Sequence, residues 1–293
     1  MTGDPMLTGL AELIDALGPL ADRVLLAGGY GLYLKQLHLA DLDQETLIAG
    51  EHWPTARATN DFDLILEMEL LASAPDMTLL RRALDDLGYE PMENARFFHF
   101  QRGGREPGAL RVDLLGPQPD RVGTDARIRH RPDRRAGPRG PGRPKVHAWP
   151  AEGVLLEEES GAATRIPLRV LSNTGQPPRV VRVPHTFTSM LMKLSAYGNQ
   201  KRDGHPGYEK NAIDLYRVIA MTSPEEDAAM PGLLAGALTN PVVAACRELV
   251  AAEFSHPDAP GVVEVRQHAG WPGPSAPDVE RFVSALEDYL RVE

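Results

Sequence analysis

Between Arg127 and Lys145 the sequence reads RIRHRPDRRAGPRGPGRPK, with seven Pro or Gly, eight Lys or Arg and a single acid, Asp133. Proline at that density removes backbone donors and, together with glycine, prevents a continuous helix or a central strand. The rest of the chain must be built on either side of this break, and the stretch itself is expected to be an extended, mobile basic loop. Ahead of it, helical and extended patterns alternate. Behind it, VLLEEE, TRIPLRVL and RVVRVP are short extended segments, and from Thr186 the spacing is helical to the end. With 293 residues, 42% of them apolar, each flank can bury a core, so two domains of ordinary size are expected.

In the front half, Leu10, Leu13, Ile14, Leu17 and Leu20 recur at helical spacing. Residues 23–27, RVLLA, read as a short buried strand that stops at Gly28 and Gly29, after which YGLYLKQLHLA resumes a helical pattern. A strand that ends on paired glycines and turns directly into a helix presents backbone N–H groups where the helix dipole favours an anion. Asp41 to Ala56 is polar and is expected to be a loop or a short helix; TNDFDLIL over 59–66 is expected to be a strand. Met77 to Leu87 is expected to be a helix closed by Gly88, and Phe97–Gln101 with Ala109–Leu115 a strand pair joined by RGGREPG. The fold class expected is α+β: a core of mixed sheet flanked by helices over 1–125, the basic loop and a β-rich connector over 126–184, and a helical domain over 185–293.

The formal net charge of −10 argues against nucleic-acid binding by bulk electrostatics, so a polyanion must be met by a local patch. The Arg127–Lys145 stretch is either a solvated insertion or a guide for the phosphates of RNA or nucleotide. The one cysteine, Cys246 in VVAACRELV, excludes an intrachain disulfide and a thiolate metal cluster and is expected to be buried. No run of eighteen apolar residues and no leader-like N-terminus is present, so a cytoplasmic protein without a membrane segment is expected.

In a strand, side chains two apart share a face, so Asp61 and Asp63 project together, opposite Phe62 and Leu64. Two carboxylates on a rigid strand suit magnesium or manganese, which compensates their repulsion. In LRVDLL, Asp113 lies inside an apolar strand and needs a partner: a metal, or an arginine such as Arg111. Three carboxylates on neighbouring strands would suit phosphoryl or nucleotidyl transfer.

LLAGGYGLYL, RATNDFDLIL, LRVDLL, MKLSAY and EKNAIDLYRVI together resemble the DNA polymerase beta-like nucleotidyltransferase superfamily, and within it the AbiEii and MenT group of toxin-type enzymes. The resemblance is discontinuous over Val24 to Met221. It implies a nucleotidyltransferase fold, a Mg2+ or Mn2+ cofactor at Asp61, Asp63 and Asp113, and an NTP whose phosphates meet Gly28 and Gly29. It also places Lys193 and Lys210 near the phosphates, with Asp214 as the acid of that motif, and gives Asp113 a role in deprotonating the attacking hydroxyl. Arg57 either neutralises an anion or pairs with a carboxylate. The implied reaction moves a nucleoside monophosphate onto a hydroxyl acceptor; the implied acceptor is the 3′ end of tRNA, which would make the chain a toxin with a separate antitoxin protein. A small-molecule or protein acceptor stays open, as does a non-catalytic nucleotide- or partner-binding module. Three departures from the pattern stand out: bulky Tyr30 after the glycines, a long spacing from Gly29 to Asp61, and Lys210-Asn211 where the motif has Lys-Asp.

Overall fold

The computed structural model describes residues 4–54, 59–104, 108–117, 127–131, 135–140, 144–154, 162–168, 179–273 and 276–291. The chain forms two compact units, one from Met1–Gly31, Ala58–Ala151 and Ala163–Val183, the other from Leu32–Arg57, Glu152–Ala162 and Pro184–Glu293. Three consecutive regions were expected instead. Of the 126–184 stretch, the part up to Ala151 and Ala163–Val183 go with the first unit and Glu152–Ala162 with the helical one, as does the segment Leu32–Arg57 after the glycine turn.

The first unit opens with α1 (Pro5–Leu17), whose proline sits in the first turn while Asp4 caps it by accepting from Met6 N at 2.9 Å. A 3-10 turn leads into β1 (Val24–Ala27), followed by α2 (Gly28–Asp41), of which only the first turn belongs to this unit. Then come β2 (Asp61–Leu66), α3 (Met68–Ala72), α4 (Ala74–Asp86), β3 (Glu90–Pro91), β4 (His99–Arg102) and β5 (Leu110–Gly116). Gly88, just beyond α4, takes the left-handed φ of 75° expected of a C-cap glycine. The sheet runs β1-β2-β5-β4-β3, with β8 (Trp149–Pro150) added to the far end of β5. β2 and β5 are parallel and the β1–β2, β4–β5 and β3–β4 pairs antiparallel, so the sheet is mixed. One face is closed: Phe62, Leu64, Phe100, Val112 and Leu114 are at most 1% exposed, each side chain contributing about 1.5–3 kcal/mol by burial.

The described residues of the basic stretch depart from the loop expected. β6 (Ile128–His130) and β7 (Ala136–Pro138) pair antiparallel, Ala136 bridges Ala148, and Ile128 and Ala136 are buried. Three-residue edge strands tolerate proline because a missing N–H on the outer side costs no ladder bond. Gly137 is needed for closeness, since a Cβ there would overlap the His147 ring. A second antiparallel pair, β9 (Thr164–Leu168) and β10 (Arg179–Val183), packs against β1 and α1 through β10.

The second unit is helical: the remainder of α2, then α5 (Thr186–Arg202), α6 (Glu209–Ala220), α7 (Pro224–Ala237), α8 (Pro241–Glu253), α9 (Pro260–Gln267) and α10 (Ala276–Asp288). Its centre is α6, every residue of which from Asn211 to Ala220 is buried. Leu32, Leu39, Ile48 and Trp53 join this core, and Leu47 N and Ile48 N donate to Thr222 O and Ala220 O at 2.9 and 3.1 Å. These contacts explain why the long spacing between the glycines and Asp61 belongs to the helical unit. Cys246 is buried as expected, and burial pushes its thiol up to about 12. No helix among the described residues is long and apolar enough to cross a membrane.

Candidate active site

The parallel register of β2 and β5 sets Asp61 beside Arg111, Phe62 beside Val112, Asp63 beside Asp113 and Leu64 beside Leu114. Parallel partners share a face, so Asp61, Asp63, Arg111 and Asp113 project from the side opposite the closed apolar face, and the Asp63 and Asp113 backbones are about 4.8 Å apart. The arrangement follows from two short words, Asp-Phe-Asp-Leu and Arg-Val-Asp-Leu, whose apolar residues fix which way the strands face.

On the other side of β2, Ala27 at the end of β1 is in register with Asp63. The chain leaves β1 through Gly28, whose φ is 68°, and enters α2. A Cβ at Gly28 would overlap Asp63 Oδ2. The glycine therefore serves twice, in adopting a left-handed backbone and in letting that backbone lie against a carboxylate. The first-turn N–H groups of α2 have no carbonyl within the helix to bond, and the helix dipole adds positive potential there.

The carboxylates have partners on neighbouring strands. His99 Nδ1 hydrogen-bonds Asp113 Oδ1 across the β4–β5 pair, and Arg111 Nη1 stands 3.7 Å from Asp61 Oδ1. Asp113 thus pairs with a histidine, and Arg111, weighed as its partner in the sequence, leans on Asp61. Asn60 Nδ2 donates to Ala109 O at 2.6 Å and Arg111 N to Asn60 O at 2.9 Å, which ties the starts of the two strands together. The Asp61 and Asp113 side chains are 38% and 24% exposed, open enough for a ligand to reach.

Hard oxygen donors on two rigid strands suit a divalent cation such as magnesium or manganese in chemistry, while the N–H groups at the Gly28 turn suit an anion beside it. Among the described residues no three His, Cys, Asp or Glu side chains already stand in metal-ligand geometry. His99 engages one oxygen of Asp113 and Arg111 lies beside one oxygen of Asp61, so ligation by all three carboxylates falls to their other oxygens or requires the side chains to turn.

The remaining candidates lie elsewhere in the chain. Lys193 belongs to the second unit, its Nζ 2.9 Å from Asp214 Oδ2, while Arg217 Nη1 is 3.1 Å from Asp214 Oδ1. Asp214, fully buried, is thus held by Lys193 and Arg217. Lys210 is half-buried at the start of α6, and Asn211 beside it donates to Gln200 Oε1 at 3.0 Å. Arg57 lies outside the described residues. Tyr30 is core: 3% exposed, edge-on to Phe62 at 5.5 Å, its hydroxyl 3.3 Å from Asp4 Oδ2. Its bulk after the glycines is explained by packing.

Sequence reasoning missed His99, whose role depends on the β4–β5 register and has no motif in RFFHFQ. It also missed Lys35, buried in α2, whose Nζ lies 2.6 and 2.7 Å from the two Glu226 oxygens. A lysine inside the apolar run YGLYLKQL was the signal that could have found it. Comparison of the chain with protein-family models, with curated proteins and with solved structures found no match.

Proposed function

We propose that this chain is a divalent-metal-dependent nucleotidyltransferase with a nucleotidyltransferase-type fold in its first unit. The observation that carries the reading is the register that sets Asp63 beside Asp113 while the glycine turn into α2 lies against Asp63. A carboxylate face and a helix N-terminus thus adjoin at one residue, the pairing that a metal-bound triphosphate calls for.

In the proposed reaction the acceptor hydroxyl oxygen attacks the α-phosphorus of an NTP, the bond to the bridging oxygen breaks, and pyrophosphate leaves. Gly28, Gly29 and the first turn of α2 hold the phosphates. Asp61, Asp63 and Asp113 would hold Mg2+ or Mn2+, which supplies charge neutralisation at the attacking and leaving oxygens when bound. His99 holds Asp113 Oδ1, which leaves Oδ2 as the oxygen able to ligate or to take the proton from the acceptor hydroxyl. Lys193 and Lys210, both of the second unit, are offered for phosphate contact by the resemblance alone. The acceptor classes compatible with this chemistry are a tRNA 3′ end, as for a toxin held by an antitoxin, a small molecule, and a protein hydroxyl.

The test is incubation with each NTP in turn, labelled at the α- or the γ-phosphate, with magnesium or manganese and with total RNA, protein extract or small-molecule acceptors. Transfer of the α-label with release of the γ-label in pyrophosphate is the expected result. Transfer of the γ-label, or no transfer from any NTP to any acceptor, would refute the reading.

A further inference from the structure

An exposed tryptophan stands on the carboxylate face. Trp149 is 39% exposed and in register with Leu115, two residues beyond Asp113 on β5, so its indole projects from the same side as Asp113 with the two backbones about 8 Å apart. A line of contacts joins them: Asp113 to His99 by a hydrogen bond, His99 to Phe98 with ring centroids 4.5 Å apart, and Phe98 to Trp149 at 4.7 Å. A single exposed apolar residue needs no explanation; here the neighbouring surface supplies one.

Ala148, the residue before Trp149, bridges Ala136 of β7, so the strand that carries the indole is joined to the basic hairpin. An open pocket of about 500 Å³ on that hairpin is lined by Arg129, His130, Arg139 and Gly140. Arg139 Nε donates to Ile128 O at 2.8 Å, which fixes the guanidinium over β6 while its terminal nitrogens make no ion pair among the described residues. Arg129 is exposed and likewise makes no ion pair among the described residues. Arg135 lies 4.2 Å over the Phe97 ring. Arg127, by contrast, is neutralised by Glu69 at 2.8 and 2.9 Å. Burial, and then the charge of Arg139, holds the His130 ring below its usual range, in keeping with a locally positive surface on a chain of net charge −10.

An indole open to stacking, on a strand joined to the hairpin that carries Arg129 and Arg139, matches what an unpaired strand offers: bare base faces and a row of phosphates. A duplex hides its base faces, and a protein surface has no periodic anion. We infer that Trp149 and the β6–β7 hairpin bind single-stranded nucleic acid, the indole stacking on a base while Arg129 and Arg139 hold backbone phosphates. The inference rests on the transfer reading only in making that strand the acceptor, its end lying towards Asp113.

The test uses the full chain and a labelled single-stranded oligoribonucleotide of about ten nucleotides, with fluorescence anisotropy read over about 50 to 200 mM salt. Chelator is present and NTP absent, so the result does not depend on catalysis. Trp149→Ala is expected to weaken binding about tenfold or more and Trp149→Phe to restore most of it. Arg129→Gln and Arg139→Gln, on the exposed hairpin, are each expected to reduce the slope of log affinity against log salt by about one. The same sequence as a duplex is expected to bind more weakly. Absence of binding by the wild-type chain, equal binding by the Trp149→Ala and hairpin variants, or preference for the duplex would overturn the proposal. A chain that binds the strand but transfers no nucleotide would keep this inference and sink the transfer reading; a chain that transfers nucleotide but ignores the strand would do the reverse.

Discussion

Gly28 carries two constraints at one backbone position, a φ of 68° and contact with Asp63 Oδ2. In Gly28→Ala the left-handed conformation alone costs about 1–2 kcal/mol, and the added methyl has to push the carboxylate aside. Urea unfolding should show a loss of that size, and nucleotide transfer should fall by far more than the stability loss explains. Transfer equal to wild type would mean that the turn does not touch the reacting groups. Lys35 poses a separate residue-scale problem, because its charge is buried with Glu226 and shared with Thr186 Oγ1 at 3.0 Å. Burial alone would push the Glu226 carboxyl up; the Lys35 ammonium, charged and hydrogen-bonded to it, outweighs that and holds it below the usual carboxylate range. Lys35→Met leaves that carboxylate without its cation and is expected to cost about 3–5 kcal/mol in urea unfolding, much of it recovered in the Lys35→Met, Glu226→Met double variant. Equal losses in the single and double variants would show that packing, and not the stranded charge, sets the cost.

At the scale of elements, α5 begins at His185, whose Nδ1 accepts from Phe187 N at 3.0 Å. Only a neutral imidazole offers that acceptor, and burial lowers the His185 pKa below its usual value. The unfolded chain therefore takes up this proton first. Stability is full above the unfolded value of about 6.5 and declines as pH falls below it, until the folded group also titrates. His130 has the same sign. The thermal midpoint should drop between about pH 7 and 5.5, and His185→Asn, which keeps a capping acceptor without a titrating ring, should drop less. An identical decline in the variant would place the pH sensitivity elsewhere. Much of this level was legible in the sequence: the strand that ends on two glycines, the strand over 61–66 and the capped helix before Gly88 follow from local spacing and turn chemistry. The β6–β7 hairpin was not, because Pro and Gly exclude central strands but not short edge strands. His99 and the Lys193–Asp214 pair were not legible either, since each depends on which elements lie side by side and not on spacing along one of them.

At the scale of the molecule, the boundary between the two units falls inside α2, so the sequence break after the basic stretch is not the structural one. The residues proposed for metal, for the phosphate turn and for the single strand all belong to the first unit. The second unit is a helical core with its own buried ion pairs, Lys35–Glu226 and Arg217–Asp214. Chemistry placed on the sheet of the first unit makes Asp63 and Asp113 the residues on which the account stands. Manganese binding, followed through the resonance of the free ion, together with α-label transfer from NTP, compares the wild-type chain with Asp63→Asn and Asp113→Asn. The account predicts that the wild type binds the ion and transfers the label, and that each variant loses transfer by about 100-fold or more and weakens ion binding while unfolding as the wild type does. Either variant retaining wild-type ion binding and transfer would contradict it.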